Sequence, residues 1–313
     1  MNFYRLRIIS IIIILLIPGR SVTSAKRLKD PNIVIGSCNV RCTSQKDDIQ
    51  GDGWDARKQW LCSFIEFMSP DVLGTQEVTY KQKTDMLAAL PDYDCIGVGR
   101  NDGKTKGEHV LIFYRRDRFN LLKHGDFWLS ESPDQPSTGW DAAHPRICTW
   151  GCLKDKVTHK KIWIFNLHND HRGVVARRES AKLVISRIKE MTGPRDRVFV
   201  TGDFNVDQRN EIYTIYTDYL EDSYMTAEKR YAPNGSFNAF KTDSFTDSRI
   251  DHIFVTPGTQ VLRYGILTET YRTENEKSEE ALKSSHFPSE VSFHTYTART
   301  LTDHFPVFIK VRL

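Results

Sequence analysis

The stretch Val198-Phe199-Val200-Thr201-Gly202-Asp203-Phe204-Asn205 sets the pattern for the whole chain. Three apolar residues predict a short buried strand, and a glycine then lets the backbone turn. Because side chains alternate along an extended chain, Asp203 and Asn205 project to the same side of the strand end. The sequence therefore places a carboxylate and a carboxamide side by side where a buried strand meets a loop.

Polar side chains flank several other predicted strands in the same way. They are Asn39, Glu77, Glu108, His168, Asp251, Asp303 and His304. Hard oxygen ligands hold Mg²⁺ or Mn²⁺, and Mg²⁺ needs only one or two protein carboxylates. A carboxylate or an imidazole near the metal can orient an attacking water. Each residue alone is equally well explained as an ordinary strand-end or turn residue, but together they predict metal-assisted hydrolysis of a phosphate ester.

Asp251 is the residue for which a purely structural explanation fits least well. It lies inside the apolar stretch Ile250–Val255, where an unpaired carboxylate would be costly. An imidazole partner would remove that cost, and His304 is the candidate.

Short apolar strands alternate with helical segments in both halves of the chain. Periodicity predicts helices over Trp54–Met68 and about Lys81–Leu90, and again over Val174–Met191 and Glu211–Tyr219. This alternation predicts an α/β fold with two packed sheets and helices outside them. No Gly/Ser-rich or Pro-rich linker divides the chain, which favours one domain. The stretch Tyr271–Arg299 is the least regular and is expected to border the site.

The N-terminus has the pattern of a signal peptide. Arg5 and Arg7 precede an apolar run over residues 8–17, and small residues follow. We therefore expect residues 1–25 to be a signal peptide and residues 26–313 to form the domain of a secreted or periplasmic protein. The apolar run is shorter than the roughly 20 residues of a membrane-spanning helix. An uncleaved membrane anchor is the alternative, and no span is expected in the mature protein.

The charge balance argues against a strongly basic nucleic-acid binder. The full chain carries a formal net charge of +4, and residues 1–25 hold three arginines and no acidic residue. Removing them would leave 41 Lys and Arg against 40 Asp and Glu. No basic stripe of the kind that tracks a nucleic-acid backbone is predicted.

The six cysteines leave two alternatives open. An even number in an exported chain permits disulfides. Cys38, Cys62 and Cys148 lie in apolar stretches, which instead favours buried, unpaired thiols.

Seven short motifs occur in a fixed order along the chain. They are Asn39-x-Arg41, Gln76-Glu77, Gly107-Glu108, Leu167-His168-x-Asp170-His171, Gly202–Asn205, Arg249–Phe254 and Asp303–Val307. This ordered set resembles the endonuclease/exonuclease/phosphatase superfamily, the deoxyribonuclease I-like proteins, over about residues 32–313. Phe127–Glu131, Gly139–Asp141 and Pro145–Trp150 are similar to an exported bacterial branch of it. The resemblance implies a four-layer α/β sandwich of two mostly antiparallel sheets flanked by helices.

The resemblance also implies a metal side and a water side of the site. Glu77 matches the principal metal carboxylate, with Asn39 and Asp303 as further metal positions, and the expected ion is Mg²⁺, with Mn²⁺ as the alternative. Asp203 matches the carboxylate that orients or deprotonates the attacking water. Asn205 matches a ligand of the phosphate or the water.

Four further positions match groups that contact the phosphate or support such a group. His304 matches the imidazole at the phosphate, and Asp251 matches the carboxylate that orients it. His168 matches a second phosphate-binding imidazole, with Glu108 as its partner. Arg146 matches a cationic phosphate contact.

Three functions follow as alternatives. The first is a phosphoesterase that hydrolyses a phosphate monoester or diester, and the second is a secreted nuclease acting on DNA or RNA. Many nuclease members carry an acidic residue where this chain has Arg41, and this difference favours a phosphatase. The third is a binding protein on the same fold that has lost catalysis, which the complete set of polar residues disfavours.

Overall fold

The computed structural model describes residues 30–274, 288–291, 293 and 295–313, and it confirms the predicted two-sheet α/β architecture. The larger strands are β1 (Asn32–Asn39), β2 (Val72–Val78), β3 (Tyr93–Ile96), β4 (His109–Arg115), β5 (Phe119–Trp128), β6 (Ile147–Asp155), β7 (Lys161–His168), β8 (Arg197–Asp203), β11 (Asp251–Val255), β12 (Val261–Ile266), β13 (Thr270–Glu274), β14 (Tyr296–Thr300) and β15 (Val307–Arg312). Two-residue strands are β9 (Glu221–Asp222) and β10 (Arg230–Tyr231). The helices are α1 (Gln45–Gln50), α2 (Trp54–Met68), α3 (Tyr80–Ala89), α4 (Val174–Met191), α5 (Glu211–Thr217) and α6 (Ser223–Thr226).

Two large sheets form the centre of the molecule. The first has the strand order β10-β12-β15-β1-β2-β4-β3, and the second has the order β5-β6-β7-β8-β11-β9. Antiparallel pairs predominate, and the parallel pairs are β1 with β2, β7 with β8, and β10 with β12. α2 connects β1 to β2 and α4 connects β7 to β8, because parallel neighbours need a crossover connection.

The alternation of side chains along each strand separates the layers. On β8, Phe199 packs between the two sheets, whereas Val198 and Val200 pack outward against α4. On β2, Val72 lies between the sheets and Leu73 packs outward in the cluster that contains α2. Each fully buried apolar side chain of this size stabilises the fold by about 1.5–3 kcal/mol relative to exposure. The four layers are therefore helices, sheet, sheet and helices, as the resemblance implies.

The first residues of α3 also hold a loop of the site. Thr79 caps the helix through a reciprocal pair of hydrogen bonds with Gln82. The same Gln82 side chain donates from Nε2 to the backbone oxygen of Arg41 at 2.7 Å. The helix start therefore fixes the turn that follows β1.

One edge of the two sheets collects the predicted polar residues. In the second sheet, Asp203 is in register with His168 of β7 and with Asp251 of β11. In the first sheet, β1 and β2 run parallel, so Asn39 and Glu77 reach the same edge. Because the sheets pack face to face, both sets of side chains meet at one end of the sandwich.

The stretch Tyr271–Arg299 is more regular than the sequence predicts. Its described ends belong to a hairpin, in which β13 pairs with β14 from Thr270↔Thr300 to Glu274↔Tyr296. Tyr271 stacks on Trp60 of α2 with ring centroids 5.3 Å apart, and Arg299 donates to Asp52 at 2.7 Å. These strands alternate Thr with charged residues, so their sequence does not predict that they pack on an apolar side chain such as Trp60. Tyr271 and Arg299 thus hold the hairpin against α2 and the loop before it, and residues 275–287 of the stretch lie outside the described residues.

Two other expectations concern the termini and the cysteines. The predicted signal peptide, residues 1–25, lies outside the described residues. Within the described ranges, no helix is long and apolar enough to cross a membrane. All six cysteines are unpaired, and Cys38, Cys62, Cys148 and Cys152 are buried, which favours the second of the two alternatives.

Candidate active site

A cleft of about 400 Å³ opens at the edge where the strands of both sheets end. Eight of the ten predicted site residues line it, namely Glu77, Glu108, Arg146, His168, Asp203, Asn205, Asp303 and His304. The other two, Asn39 and Asp251, are buried directly behind these residues. The structure thus gathers residues from across the sequence into one polar cleft.

Asn39 links the carboxylates of the two sheets. Its Nδ2 donates to Oε1 of Glu77 at 3.0 Å and to Oδ2 of Asp203 at 3.1 Å. Its Oδ1 accepts from the backbone nitrogen of Arg41 at 3.0 Å. In this arrangement the amide nitrogen of Asn39 orients two carboxylates, a role that the resemblance does not assign to it. Its place among the metal positions stays a prediction.

Glu77 is held in an ionised state at the end of β2. Burial raises the pKa of its carboxyl, but the Asn39 hydrogen bond and the positive charge of His304 outweigh burial, so the pKa lies below its ordinary value. Its Oε2 also accepts from the backbone nitrogen of Cys42 at 3.1 Å. An ionised, oriented carboxylate is suited to bind a hard cation.

Asp203 occupies the centre of the site. Its Oδ2 lies 3.4 Å from Nε2 of His168 and 3.8 Å from Nε2 of His304. Burial raises the pKa of Asp203, His304 opposes the shift, and the charge of Asp251 adds to it. Its Oδ1 accepts from the backbone nitrogen of Asn205 at 2.9 Å, which fixes the carboxylate plane. A buried carboxylate with a raised pKa is well suited to accept a proton near neutral pH.

His304 is the imidazole partner of Asp251 that was expected because an unpaired buried carboxylate would be costly. Nδ1 of His304 lies 2.8 Å from Oδ2 of Asp251, and both side chains are buried. Burial alone would lower the pKa of His304, but Asp251 and Asp203 outweigh it and raise the pKa well above its ordinary value. The imidazole is therefore a cation whose Nε2 points towards Asp203.

Glu108 does not have the partner that the resemblance implies. It forms two hydrogen bonds with the guanidinium of Arg100, at 2.7 and 2.8 Å, while the imidazole of His168 lies beside Asp203. Burial and then the charges of Arg146 and Arg100 lower the pKa of His168 well below its ordinary value, so this imidazole is neutral. The cause of the difference is Arg100, whose bidentate geometry favours a carboxylate partner.

Arg146 is held in place by the motif that follows β7. Its Nε donates to Oδ2 of Asp170 at 3.2 Å, and its Nη2 lies 3.1 Å from Nδ1 of His171. Asp170 also accepts from the backbone nitrogens of Arg172 and Gly173, which closes the turn. Nη1 of Arg146 is buried and has no hydrogen-bond partner among the described residues. Asp170 and His171 therefore support Arg146.

Arg57 ties the segments of the first sheet together behind the cleft. It is buried, and its guanidinium donates to the backbone oxygens of Val40, Arg41 and Leu301 at 2.6, 2.8 and 3.3 Å. These segments carry Arg41 and Asp303 into the site. Nη1 of Arg41 lies 3.7 Å from Oδ2 of Asp303, which places a fixed cation beside that carboxylate.

Three site residues have left-handed backbone conformations. Arg41, Glu77 and Asn205 have φ values of 57°, 62° and 51°. Residues other than glycine rarely adopt this region, and each such residue costs about 1–3 kcal/mol. Hydrogen bonds to the backbone nitrogens of Arg41 and Asn205 and to the carboxylate of Glu77 hold these residues in place.

The donor set fits a divalent cation. One oxygen or nitrogen atom from each of Glu77, His168 and Asp203 lies within 4.8 Å of the others. Burial and the charge of Glu77 raise the pKa of Asp303, although His304 opposes the shift. Hard oxygen donors such as these carboxylates are the ligands that Mg²⁺ prefers. Glu77, with Asp303 beside it, could hold such an ion.

Several lining residues were not predicted as site residues from the sequence. They include Arg100, His144, His171 and Phe237. Phe237 packs edge-on against His304 with ring centroids 5.0 Å apart. His171 belongs to the motif that follows β7. The others lie in loops and do not directly follow an apolar strand in the sequence. The local sequence therefore does not predict that these loops fold over the cleft.

The fold and the cleft agree with comparisons to known proteins. The sequence matches the Endonuclease/Exonuclease/phosphatase family over residues 36–304. The chain belongs to this family and is therefore a phosphoesterase-type hydrolase.

The chain is similar to several solved structures and to a viral sequence. A mannosyl-6-phosphatase of Bacteroides thetaiotaomicron is 47% identical, with a TM-score of 0.83, over 90% of this chain and 100% of that chain. A family member from Bacteroides vulgatus is 36% identical, with a TM-score of 0.76, over 90% of this chain and 99% of that chain. A protein of Acanthamoeba polyphaga mimivirus is 30% identical over 230 residues, which are 68% of this chain and 82% of that protein.

Proposed function

We propose that this protein is a Mg²⁺-dependent phosphatase that removes phosphate from a phosphorylated sugar. The observation that carries the proposal is the cleft of about 400 Å³, which Arg41 and Arg146 both line. A volume of this size suits a small molecule. A monoester phosphate carries more negative charge than a diester, so these two fixed guanidinium groups favour it.

Asp203 and His304 have complementary tasks in the proposed reaction. Asp203 accepts a proton from a water molecule, whose oxygen forms a bond to phosphorus while the ester P–O bond breaks. The leaving oxygen takes a proton from solvent water and departs as the sugar hydroxyl, and Asp203 later releases its proton to solvent. The cationic His304, oriented by Asp251, and Arg146 donate hydrogen bonds to the phosphate oxygens as negative charge develops on them. Removing one such donor typically costs about 10²–10³ in rate.

Glu77 and Asp303 are the residues we propose to hold the Mg²⁺ ion. A bound ion of this kind supplies Lewis-acid polarisation of the phosphate and stabilises the leaving oxygen. Asn39 orients the Glu77 carboxylate, and Arg41 limits the negative charge at Asp303. Mn²⁺ is the alternative ion, because it accepts the same oxygen ligands.

The similarity to the mannosyl-6-phosphatase supports a sugar phosphate as the substrate. At 47% identity over 90% of this chain, that protein shares the fold and most of the chain length. Mannose 6-phosphate and mannosyl 6-phosphates are therefore the first substrates to test.

A substrate panel tests the proposal. Purified protein with MgCl₂ is assayed for phosphate release from mannose 6-phosphate, glucose 6-phosphate and glycerol 3-phosphate, and for cleavage of bis(p-nitrophenyl) phosphate, plasmid DNA and RNA. We expect EDTA-sensitive release from the sugar monoesters and little diester cleavage. Cleavage of nucleic acid without release from any monoester would favour the nuclease alternative, and no hydrolysis of any substrate would favour the binding protein.

We also propose that the protein is exported, because residues 1–25 have the pattern of a signal peptide. Expression of the full chain in a Gram-negative host, followed by fractionation and N-terminal sequencing, tests this proposal. A periplasmic protein whose N-terminus lies near residue 26 is expected. An uncleaved chain in the cytosol would contradict export, and an uncleaved chain in the membrane fraction would favour the anchor.

A further inference from the structure

The Arg100–Glu108 pair lines the cleft but has no part in the reaction described above. Its loop is rigid, because Arg100 donates a backbone hydrogen bond to Glu108 and Asn101 donates one to Lys106, at 3.0 and 3.1 Å. The Trp128 indole nitrogen donates to the backbone oxygen of Arg100 at 2.7 Å. A paired guanidinium and carboxylate are thus presented to the cleft in a fixed geometry.

Two histidines continue this surface at the rim of the cleft. The imidazoles of His144 and His171 stack with centroids 6.0 Å apart and an angle of 17° between their planes. Burial and the nearby arginines lower the pKa of both, so both rings are neutral. A neutral imidazole offers one hydrogen-bond donor and one acceptor.

These four side chains suit an uncharged polyol better than a second anion. The Arg100 and Glu108 charges neutralise each other, and together the group offers both donors and acceptors. Sugar hydroxyls each donate and accept, so they require both kinds of partner. The Arg146 guanidinium lies between this surface and the phosphate site through its contact with His171.

The geometry of the reaction indicates on which side of the phosphorus atom these four residues lie. In an in-line displacement, the attacking and leaving oxygens lie on opposite sides of phosphorus. The attacking water belongs to Asp203, and Phe237 packs on His304, which is next to Asp203. Arg100 and Glu108 lie close enough to Glu77 to interact with its charge, and Glu77 is proposed to hold the ion on the leaving-group side. The stacked rings of His144 and His171 continue the same surface. These four residues therefore suit the leaving-group side.

We infer that Arg100, Glu108, His144 and His171 form a subsite that binds the hydroxyl groups of the sugar leaving group. The inference rests on the proposed function, and it assigns the preference for a hexose to residues outside the reacting centre. Glu108 is then a specificity-determining residue rather than the partner of His168.

A comparison of two substrates tests the subsite. The ratio of kcat/KM for mannose 6-phosphate to that for glycerol 3-phosphate is measured for the wild type, His144→Ala and Glu108→Gln. We expect the ratio to fall about tenfold in each variant, mainly through KM, as for the loss of one hydrogen bond to a substrate hydroxyl. His124→Ala, an exposed histidine on β5, is the matched control and should keep the wild-type ratio.

The possible failures are distinguishable. A wild-type protein that releases phosphate from neither substrate would overturn the proposed function and the subsite with it. Hydrolysis of both substrates with a ratio within twofold of wild type in both variants would overturn the subsite alone. Equal losses on both substrates would also overturn it, because they indicate a structural role.

A binding measurement without turnover gives an independent test. Calorimetry in EDTA compares mannose 6-phosphate with inorganic phosphate as ligands of the wild type and of His144→Ala. We expect the variant to lose affinity about tenfold for mannose 6-phosphate and much less for phosphate. An equal loss for both ligands would contradict binding of the hydroxyls by this subsite.

Discussion

Asp251 holds the imidazole of His304 in place, with Oδ2 of the carboxylate 2.8 Å from Nδ1 of the ring. Both residues are buried, so the interaction is little screened by water. The pair fixes the ring orientation and keeps the imidazole cationic, which leaves Nε2–H free to donate towards the reacting phosphate.

Asp251→Asn should lower kcat by at least about a hundredfold, because a neutral partner no longer favours the imidazolium form of His304. Initial rates of phosphate release on a sugar monoester give the measurement. His304→Ala should nearly abolish turnover. Circular dichroism should show the same fold for both variants, and wild-type rates in a folded Asp251→Asn protein would contradict the role of the pair.

Asp203→Asn should nearly abolish turnover and leave the folded protein at least as stable as the wild type. The asparagine cannot accept the proton of the water, and it removes a buried charge that lies near Asp251 and Glu77. Functional sites often sacrifice stability in this way. Rates and urea unfolding measured on the same preparation test both parts. A stable variant with substantial activity would exclude Asp203 as the base.

Mg²⁺ should stabilise the wild type but not Glu77→Gln. An ion that binds only the folded state adds about 2.7 kcal/mol at a concentration of 100 Kd. For a protein of this size, we expect Tm to rise by about 5 °C in the wild type. Thermal unfolding in EDTA and in increasing MgCl₂ gives the measurement. An equal rise in both proteins would place the ion elsewhere.

The buried Arg118–Asp155 ion pair should make stability depend on acid pH. Nε of Arg118 donates to Oδ1 of Asp155 at 2.6 Å. Burial raises the pKa of Asp155, but the hydrogen bonds from Arg118 and Thr158 outweigh it and hold the pKa below its ordinary value of 3.8. A lowered folded-state pKa means that the pair stabilises the protein above about pH 4 and that this contribution is lost as the pH falls further.

Asp155→Asn should therefore lower the free energy of unfolding by about 3–5 kcal/mol at pH 7, because it removes the carboxylate charge that is paired with the buried guanidinium of Arg118. The difference from wild type should shrink as the pH falls below 4. Urea titrations at pH 7, 5 and 3.5 measure it. Asp134→Asn, at an exposed ion pair with Arg187, is the control and should change little at any pH. A difference that is the same at all three pH values would contradict the assignment.

Much of the fold could be predicted because its elements follow simple periodicities. The four longer helices appear at or near their predicted positions, with ends at residues such as Met68 and Met191. The hairpin of β13 and β14 was missed because its strands are rich in threonine and charged residues. Its stability comes from Trp60 and Asp52, which are distant in sequence, so no local pattern reveals it.

Site residues could be predicted from the sequence where they lie at the end of an apolar strand. Asp203, Glu77 and His304 could be named because each polar residue interrupts or ends an apolar run. The actual partner of Glu108 could not be predicted, because Arg100 reaches it through a folded loop. The orienting role of Asn39 was also hidden, since it depends on both sheets at once.

Because of the contact between Asn39 and Asp203, enzymatic activity can be used to follow folding. It joins residues 164 positions apart, one from each sheet. Helices form from contacts that are local in sequence, whereas the site needs Glu77 from one sheet and Asp203 from the other. During refolding, the circular dichroism signal of the helices should therefore return before enzymatic activity. Activity should appear only when the two sheets have packed together.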